Sequence, residues 1–408
     1  MQAVQAPQLA LVAGEASGDL LGGLLLAELR RRWPDLRSVG IGGADMQAQG
    51  LQAWWPIEQL SVRGYVEVLP RLPGLLRMRG ELGRRLLADA PDAFIGIDAP
   101  DFNFGLEARL KAAGIPTVHF VSPSFWAWRP EKLVKLRAAA DHVLCLFPFE
   151  PDLLRAAGVP TTYVGHPLAQ VIPQQADRAG ARQALGVPEG AELLALLPGS
   201  RAAELRHLGP RFFQAALQLQ AERPQLHLAV PAVPWLRDAL DALARRTGAA
   251  AAFGPRLHMV TGQSHQVLAA CDVTLIASGT ATLEAALFKR PMVIAYAMPA
   301  LSYRLMRRRR QLPWIGLPNV LCADPSWLRP APGVSAHAHA DAADAPFVVP
   351  ELVQDAATPA ALAAAVRDWL DAPQRRQVVQ KRVARLHETL RQPTVERAAD
   401  VIQSLVAR

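Results

Sequence analysis

The chain has 408 residues, 51% hydrophobic and 20% charged, too long for one ordinary core and too apolar for disorder, so two domains of roughly 200 residues are expected. Lys and Arg number 44 against 36 Asp and Glu, a formal net charge of +8, which favours an anionic partner (nucleic acid, phosphorylated ligand or anionic membrane) without choosing among them. Cys145, Cys271 and Cys322 are far apart and no CxxC occurs, which excludes a zinc ribbon and argues against a disulfide framework. MQAVQAPQLA is not built like a signal peptide, and no uncharged apolar run is long enough to span a bilayer. A cytoplasmic protein, free or bound to a membrane face, is therefore expected.

The first element is LALVAGEASGDLLGGLLLAELRRRWPD, Leu9 to Asp35. It reads as a strand, a turn from Gly14 to Asp19, and a helix. A dinucleotide-binding turn would want three glycines and no acid; this one offers two glycines with Glu15, Ser17 and Asp19. RSVGIGG follows as a second strand. GYVEVLPRLPGLLRMRGELGRRLL, 64–87, mixes Leu69, Leu72, Leu75, Leu76 and Met78 with Arg71, Arg77, Arg79, Arg84 and Arg85. That mixture suits interfacial binding or an ordinary amphipathic helix. The strand AFIGIDA delivers Asp98 at its tip and Asp101 just beyond, in IGIDAPDFN. Either acid reads as catalytic or as a helix cap, and capping suits Asp101 better. After the strand TVHFVSP, VSPSFWAWRPEK, 121–132, carries Phe125, Trp126, Trp128 and Arg129. Such aromatics stack on sugars, line acyl grooves or are simply core. HVLCLFP and TTYVGHP complete the strands of the first half.

The polar, Pro-bearing PLAQVIPQQADRAGAR reads as the connection, giving domains 1–175 and 176–408, with a return of the C-terminal helices to the first domain left open. The pattern then restarts with ELLALLPGS, LHLAVPA, LHMVTG, VTLIASG and PMVIAYA. In LLPGSRAAELRHL, 196–208, Gly199 allows close backbone approach, Ser200 opens a helix and Arg201 offers a fork to an anion. In IASGTATLEAALF, 276–288, Ser278, Gly279 and Thr280 open another helix, and Glu284 lies one turn beyond Thr280. A carboxylate there can accept both ribose hydroxyls or be a plain surface residue. RLMRRRR, 304–310, adds charge. The Pro- and Ala-rich stretch 322–347 reads as an insertion, whose His337 and His339 suit a metal less well than chance exposure.

Continuous apolar strands alternating with helices imply α/β domains with parallel sheets buried on both faces, two Rossmann-like units whose strand carboxyl ends share a cleft. There is no P-loop, GxSxG, HExxH or DxD. The second half thus offers a nucleotide diphosphate site expected to need no metal or other cofactor; the first offers carboxylates and aromatics. Together they suggest a sugar-nucleotide glycosyltransferase.

The motifs LVAGEASGD, GIGGADM, SVRGYVEVLPRL, IGIDAPDFN, VSPSFWAWR, LFPFE, YVGHPL, LLPGSRAAE, ASGTATLEA, LPNVL and VPELVQ occur in one order over about residues 9 to 354. In these the chain resembles the lipid A disaccharide synthase family. Two departures stand out: Arg63 replaces an apolar residue in SVRG, and the 322–347 insertion is long. The resemblance implies the GT-B fold and an inverting transfer from UDP-2,3-diacylglucosamine to 2,3-diacylglucosamine 1-phosphate (lipid X), giving a β-1,6 disaccharide phosphate and UDP. It implies Asp98 as the base, and Gly199, Ser200, Arg201, Ser278, Gly279, Thr280, Glu284 and Asn319 at the nucleotide. Glu15, Ser17, Asp19, Ser122, Trp126 and Arg129 would face the acceptor and sugar. Leu72, Leu75, Leu76, Arg77, Arg79, Arg84 and Arg85 would meet the anionic cytoplasmic face of a Gram-negative inner membrane. A homodimer is left open. The peptidoglycan N-acetylglucosaminyltransferase and UDP-sugar epimerases remain as enzyme alternatives, a non-catalytic UDP-lipid carrier as another class. Nucleic-acid binding is disfavoured because no recognition motif accompanies the charge.

Overall fold

The computed structural model describes residues 6–60, 65–127, 129–308, 310–324 and 347–407, with the backbone alone at 65–71, 301 and 305. Arg63, Trp128, Arg309, His337, His339 and most of the 322–347 insertion lie outside these residues. The chain divides into two compact units, Met1–Pro167 with Leu390–Arg408, and Leu168–Thr389.

The first unit is built on seven strands: β1 Gln8–Ala13, β2 Arg37–Ile41, β3 Leu51–Trp55, β4 Ala93–Ile97, β5 Thr117–Phe120, β6 His142–Cys145 and β7 Thr161–Tyr163. They form one sheet in the order β3-β2-β1-β4-β5-β6-β7, and every pairing is parallel. Side chains alternate between faces along a strand. Leu9, Leu11 and Ala13 enter one buried cluster with Ile95 and Ile97, while Ala10 and Val12 enter the opposite cluster with Phe94. Burial on both faces explains why these strands read as unbroken apolar runs. The helix Thr394–Val406 belongs to this unit. Its Ala398, Ala399, Ile402 and Leu405 join the first cluster, and Arg32 pairs with Asp400 at 2.6 Å.

The second unit holds β8 Leu193–Leu197, β9 His227–Ala232, β10 Leu257–Thr261, β11 Val273–Ala277, β12 Met292–Tyr296 and β13 Glu351–Val353. Their order is β10-β9-β8-β11-β12-β13, again all parallel. Eleven of the thirteen strands coincide with the apolar runs of the sequence; β3 and β13 do not. Both are edge strands with mostly half-buried residues, so neither carries the apolar run that burial on two faces demands.

In the first sheet the strand order reverses between β1 and β4, and in the second between β8 and β11. Neighbouring connections leave a reversal point on opposite faces, which opens a crevice at the carboxyl ends of the strands. The four turns that the sequence singles out are the ones that follow β1, β4, β8 and β11.

Candidate functional site

At the β1/β4 edge the pairing of Ala13 with Ile97 brings the Gly14 and Asp98 turns side by side. A Cβ on Gly14 would stand 2.7 Å from that of Ala99, so only glycine lets the turns close this far. Asp98 and Ala99 have φ of 52° and 45°, a left-handed region that non-glycine residues occupy at a cost. Asn103 holds the kink: its Nδ2 donates to the Asp98 carbonyl at 2.8 Å and, more weakly, to the Val12 carbonyl at 3.4 Å. Among the described residues no hydrogen bond or ion pair engages the Asp98 carboxylate.

The other expected groups of this unit divide. Glu15 is half-buried and Ser17 exposed in the first turn of the helix Ala16–Arg32. Asp19 is buried, and its carboxylate accepts from the amides of Gly43 (2.7 Å), Asp45 (3.0 Å) and Met46 (3.2 Å), so it ties β1's helix to the turn after β2. Ser122 is buried and its Oγ has no partner among the described residues. Trp126 is no open platform. Only 7% of it is exposed, its indole N–H donates to Glu150 at 3.2 Å, and its ring meets Phe149 edge-on at 5.1 Å. Burial pushes Glu150 up to about 8 and presses His166 down to about 4. Arg129 lies 3.5 Å from Asp101 and 3.0 Å from Glu131, which couples its segment to the helix that Asp98 precedes. On the buried side of that helix, Pro100–Ala112, Glu107 pairs with His119 of β5 at 2.7 Å, both fully buried. Among the described residues Glu107 Oε2, His119 Nε2 and Asn103 Oδ1 find no partner.

In the helix Tyr65–Asp89, Leu72 and Leu76 are 41% and 48% exposed. Leu75 instead packs on the core with Met78, Leu82 and Leu86. Arg79 reaches the Asp101 carbonyl at 3.4 Å and Arg85 lies 3.7 Å over the Trp54 ring, whereas Arg77 and Arg84 are exposed. No helix among the described residues is long and apolar enough to cross a membrane.

At the β8/β11 edge, Gly199 has φ of 114°, and a Cβ there would strike the Glu204 carboxylate at 2.3 Å. Glu204 folds back on the helix start Ala202–Glu222 and accepts from the amides of Ser200 (3.0 Å) and Arg201 (3.3 Å) and from the Arg201 guanidinium (3.3 Å). An anion-accepting nest is thus present, with the protein's own carboxylate seated in it. Arg201 remains 61% exposed. Across the edge, Gly279 and Thr280 are exposed at the start of the helix Thr280–Leu287. Ser278 donates its hydroxyl to the Ile315 carbonyl at 2.8 Å, so its side chain holds the neighbouring segment. Asn319, expected at the nucleotide, has its side-chain amide engaged within its own unit. Its Nδ2 donates to Val349 (2.9 Å) and Glu351 (2.7 Å), and its Oδ1 accepts from Val348 (2.8 Å) and Val349 (3.0 Å). Its amide is thereby filled, and it staples β13 to the helix Leu317–Cys322.

Sequence reasoning missed three neighbours of this edge. Glu204 was visible as an acid three residues after the helix cap. Trp235, 67% exposed, follows β9 and donates to the Ser200 carbonyl at 3.3 Å. His265 follows β10 and pairs with Glu284 at 3.2 Å. Nothing in the local sequence announces either contact.

The family model described as Lipid-A-disaccharide synthetase matches residues 9–327. A lipid-A-disaccharide synthase of Albidiferax ferrireducens is 53% identical over 98% of this chain and 97% of its own. Among solved structures, the S. aureus MnaA–UDP co-structure aligns with TM-score 0.60 at 11% identity, over 98% of this chain and 96% of that one. CalG4, the calicheamicin glycosyltransferase, aligns with TM-score 0.59 at 15% identity, over 99% of each. At these identities the last two speak for the two-sheet GT-B fold alone.

Proposed function

The chain belongs to the lipid-A-disaccharide synthetase family, making it a glycosyltransferase of lipid A biosynthesis that uses a UDP-sugar, and we propose that it joins UDP-2,3-diacylglucosamine to 2,3-diacylglucosamine 1-phosphate with Asp98 as the base. The Asp98 carboxylate takes the proton of the acceptor 6-hydroxyl as that oxygen bonds to the anomeric carbon of the donor. The bond from that carbon to the diphosphate breaks on the opposite face, inverting the centre and releasing UDP. One carboxylate suffices, and no covalent enzyme intermediate is needed. The leaving diphosphate is stabilised by Arg201 and by the helix starts after Ser200 and Ser278. Glu284 accepts the ribose hydroxyls. Because Glu204 sits on the Ser200 and Arg201 amides in the free protein, the diphosphate displaces it as it binds. Glu15 and Ser17 face the sugar, while Asp19 and Trp126 shape the walls around them. Leu72 and Leu76, flanked by Arg77 and Arg84, rest on an anionic membrane face.

The observation that carries this reading is an unengaged carboxylate at a reversal point, on a backbone kink that Asn103 holds. The test is mass spectrometry of products from both diacyl sugars. A disaccharide 1-phosphate and UDP, formed only when both sugars are present and lost in Asp98→Asn, support it. An isomeric UDP-sugar formed without acceptor, with no net release of UDP, would favour an epimerase instead, and binding without turnover a carrier.

A further inference from the structure

The nucleotide edge carries a contact that the reaction above does not use. His265 sits in the short helix Ser264–Ala270, which connects β10 to β11. Its Nε2 lies 3.2 Å from Glu284 Oε2, and its ring tilts against Phe288 at 5.3 Å and 60°. Glu284 and Phe288 are one helical turn apart on the same face, so the imidazole spans both and is oriented by both. The carboxylate is only 21% exposed and the imidazole 43%, so the pair is partly sheltered and open on one side. We propose that His265 is the positioning residue for Glu284: by donating from Nε2 to Oε2 it fixes the rotamer of the carboxylate and leaves Oε1 turned out to receive the ribose hydroxyls. A glutamate with three free torsions that must be ordered on binding costs affinity, and a partner that orders it beforehand restores that loss. The inference rests on the ribose-reading role of Glu284.

The electrostatics agree with the geometry. Glu284 holds the His265 imidazole above its ordinary range, chiefly through the hydrogen bond, with burial opposing. Glu284 is the charged group that acts on His265 among the described residues; Phe288, its other neighbour, is neutral. As pH rises through this raised value the ring loses its proton, and the contact changes from charge-assisted to neutral, which is weaker. Donor binding should weaken over the same interval.

The experiment measures KM for the UDP-sugar donor, whose diphosphate is a diester and does not titrate near neutrality, between pH 6 and 8.5. The proteins are the parent, His265→Phe, His265→Gln and Glu284→Ala, each checked for an unchanged melting profile. His265→Phe keeps the packing on Phe288 but cannot donate; we expect donor KM to rise about fivefold with kcat within about twofold. His265→Gln places an amide N–H where Nε2 stood; donor KM should stay within about twofold of the parent at pH 7, and its rise with pH should disappear. Adding His265→Phe to Glu284→Ala should cost nothing further, since the two act as one. If Glu284→Ala raises donor KM while both His265 variants keep the parent's KM and pH profile, the positioning role is overturned and the ribose reading stands. If Glu284→Ala leaves donor KM unchanged, the ribose reading falls and the positioning role falls with it.

Discussion

At the β1/β4 edge, Asp98 and Ala99 hold φ of 52° and 45°, and among the described residues buried atoms of Asn103, Glu107 and, from β5 and the turn after it, His119 and Ser122 go without partners. At the β8/β11 edge, Ser200, Arg201, Ser278 and Thr280 are absent from the residues with positive φ, and the helix-start amides are occupied by Glu204. Strain of this kind costs on the order of 1–3 kcal/mol per residue, and each buried polar atom left unpaired costs on the order of 1–3 kcal/mol more. Such costs persist only where the surroundings over-determine them. The first edge therefore has one reactive group held in one place, as an attacking step requires. The second has relaxed groups whose contacts can be exchanged for those of a ligand, as binding and release require. The same topology serves two tasks through different local physics.

The largest expected effect separates the two edges outright. Asp98→Asn removes the proton acceptor without changing shape. Turnover should fall by a factor on the order of 10²–10⁴, the usual contribution of a positioned base, while UDP affinity by calorimetry stays at the parent's value. Normal single-turnover rates would take the base role away from Asp98. A parallel loss of UDP binding would show that the two edges are not independent.

The buried charge of the first unit makes a pH prediction. Glu150 is 1% exposed, and burial raises it from 4.5 to about 8. A folded-state value above the unfolded one means that the folded chain binds more protons between these limits, so stability falls as pH rises from about 4.5 to about 8 and levels off beyond. At 1.36 kcal/mol per unit, a few kcal/mol are involved. His166, pressed down to about 4 by burial, works the other way between about 4 and 6.5. The comparison must therefore be made between the parent and Glu150→Gln. The parent should lose stability relative to the variant from pH 5 to pH 8, read by denaturant unfolding. Parallel curves would mean that Glu150 ionises normally.

At the second edge the effects should be smaller and of opposite sign. Arg201→Ala should weaken UDP by roughly tenfold, the value of a charged hydrogen bond. Glu204→Gln should tighten it severalfold, because the diphosphate no longer displaces a charge. A Glu204→Gln variant that binds UDP less well would show that the carboxylate orients Arg201 rather than competing with the ligand.

The two edges were unequally legible. Gly14, Gly199, the apolar strands and the four turns are plain in the sequence, because glycine and two-faced burial leave local marks. The kink at Asp98 is not, since Ala99 carries no left-handed signal. Asn319 shows the converse limit: LPNVL reads the same whether its amide meets a nucleotide or, as here, Val348, Val349 and Glu351. Trp126 in SFWAWR likewise reads as a stacking surface until burial against Phe149 is seen. The pairing of His265 with Glu284 depends on where the connections after β10 and β11 meet in space, which no local window contains.

The smallest effect concerns a third surface, on the unit that carries Asp98. The helix Tyr65–Asp89 buries Met78, Leu82 and Leu86 and turns Leu72 and Leu76 outward. Its arginines differ in contacts: Arg79 and the exposed Arg85 are engaged within the unit, and Arg77 and Arg84 are exposed. If this face rests on lipid, each exposed arginine contributes about 1 kcal/mol at an anionic surface, so Arg77→Ser should loosen vesicle binding about fivefold. That loss should vanish at high salt, where the attraction is screened in the parent as well. Leu76→Ser should loosen binding at every salt concentration, because apolar insertion is not screened. Neither variant should alter turnover on detergent-dispersed substrate, since neither residue lies at the Asp98 edge. Co-sedimentation with anionic vesicles reads all three expectations. Parent-like sedimentation of both variants would place the membrane contact elsewhere. A loss confined to arginine variants would reduce this face to an electrostatic landing site, with the acyl chains reaching the catalytic unit by another path.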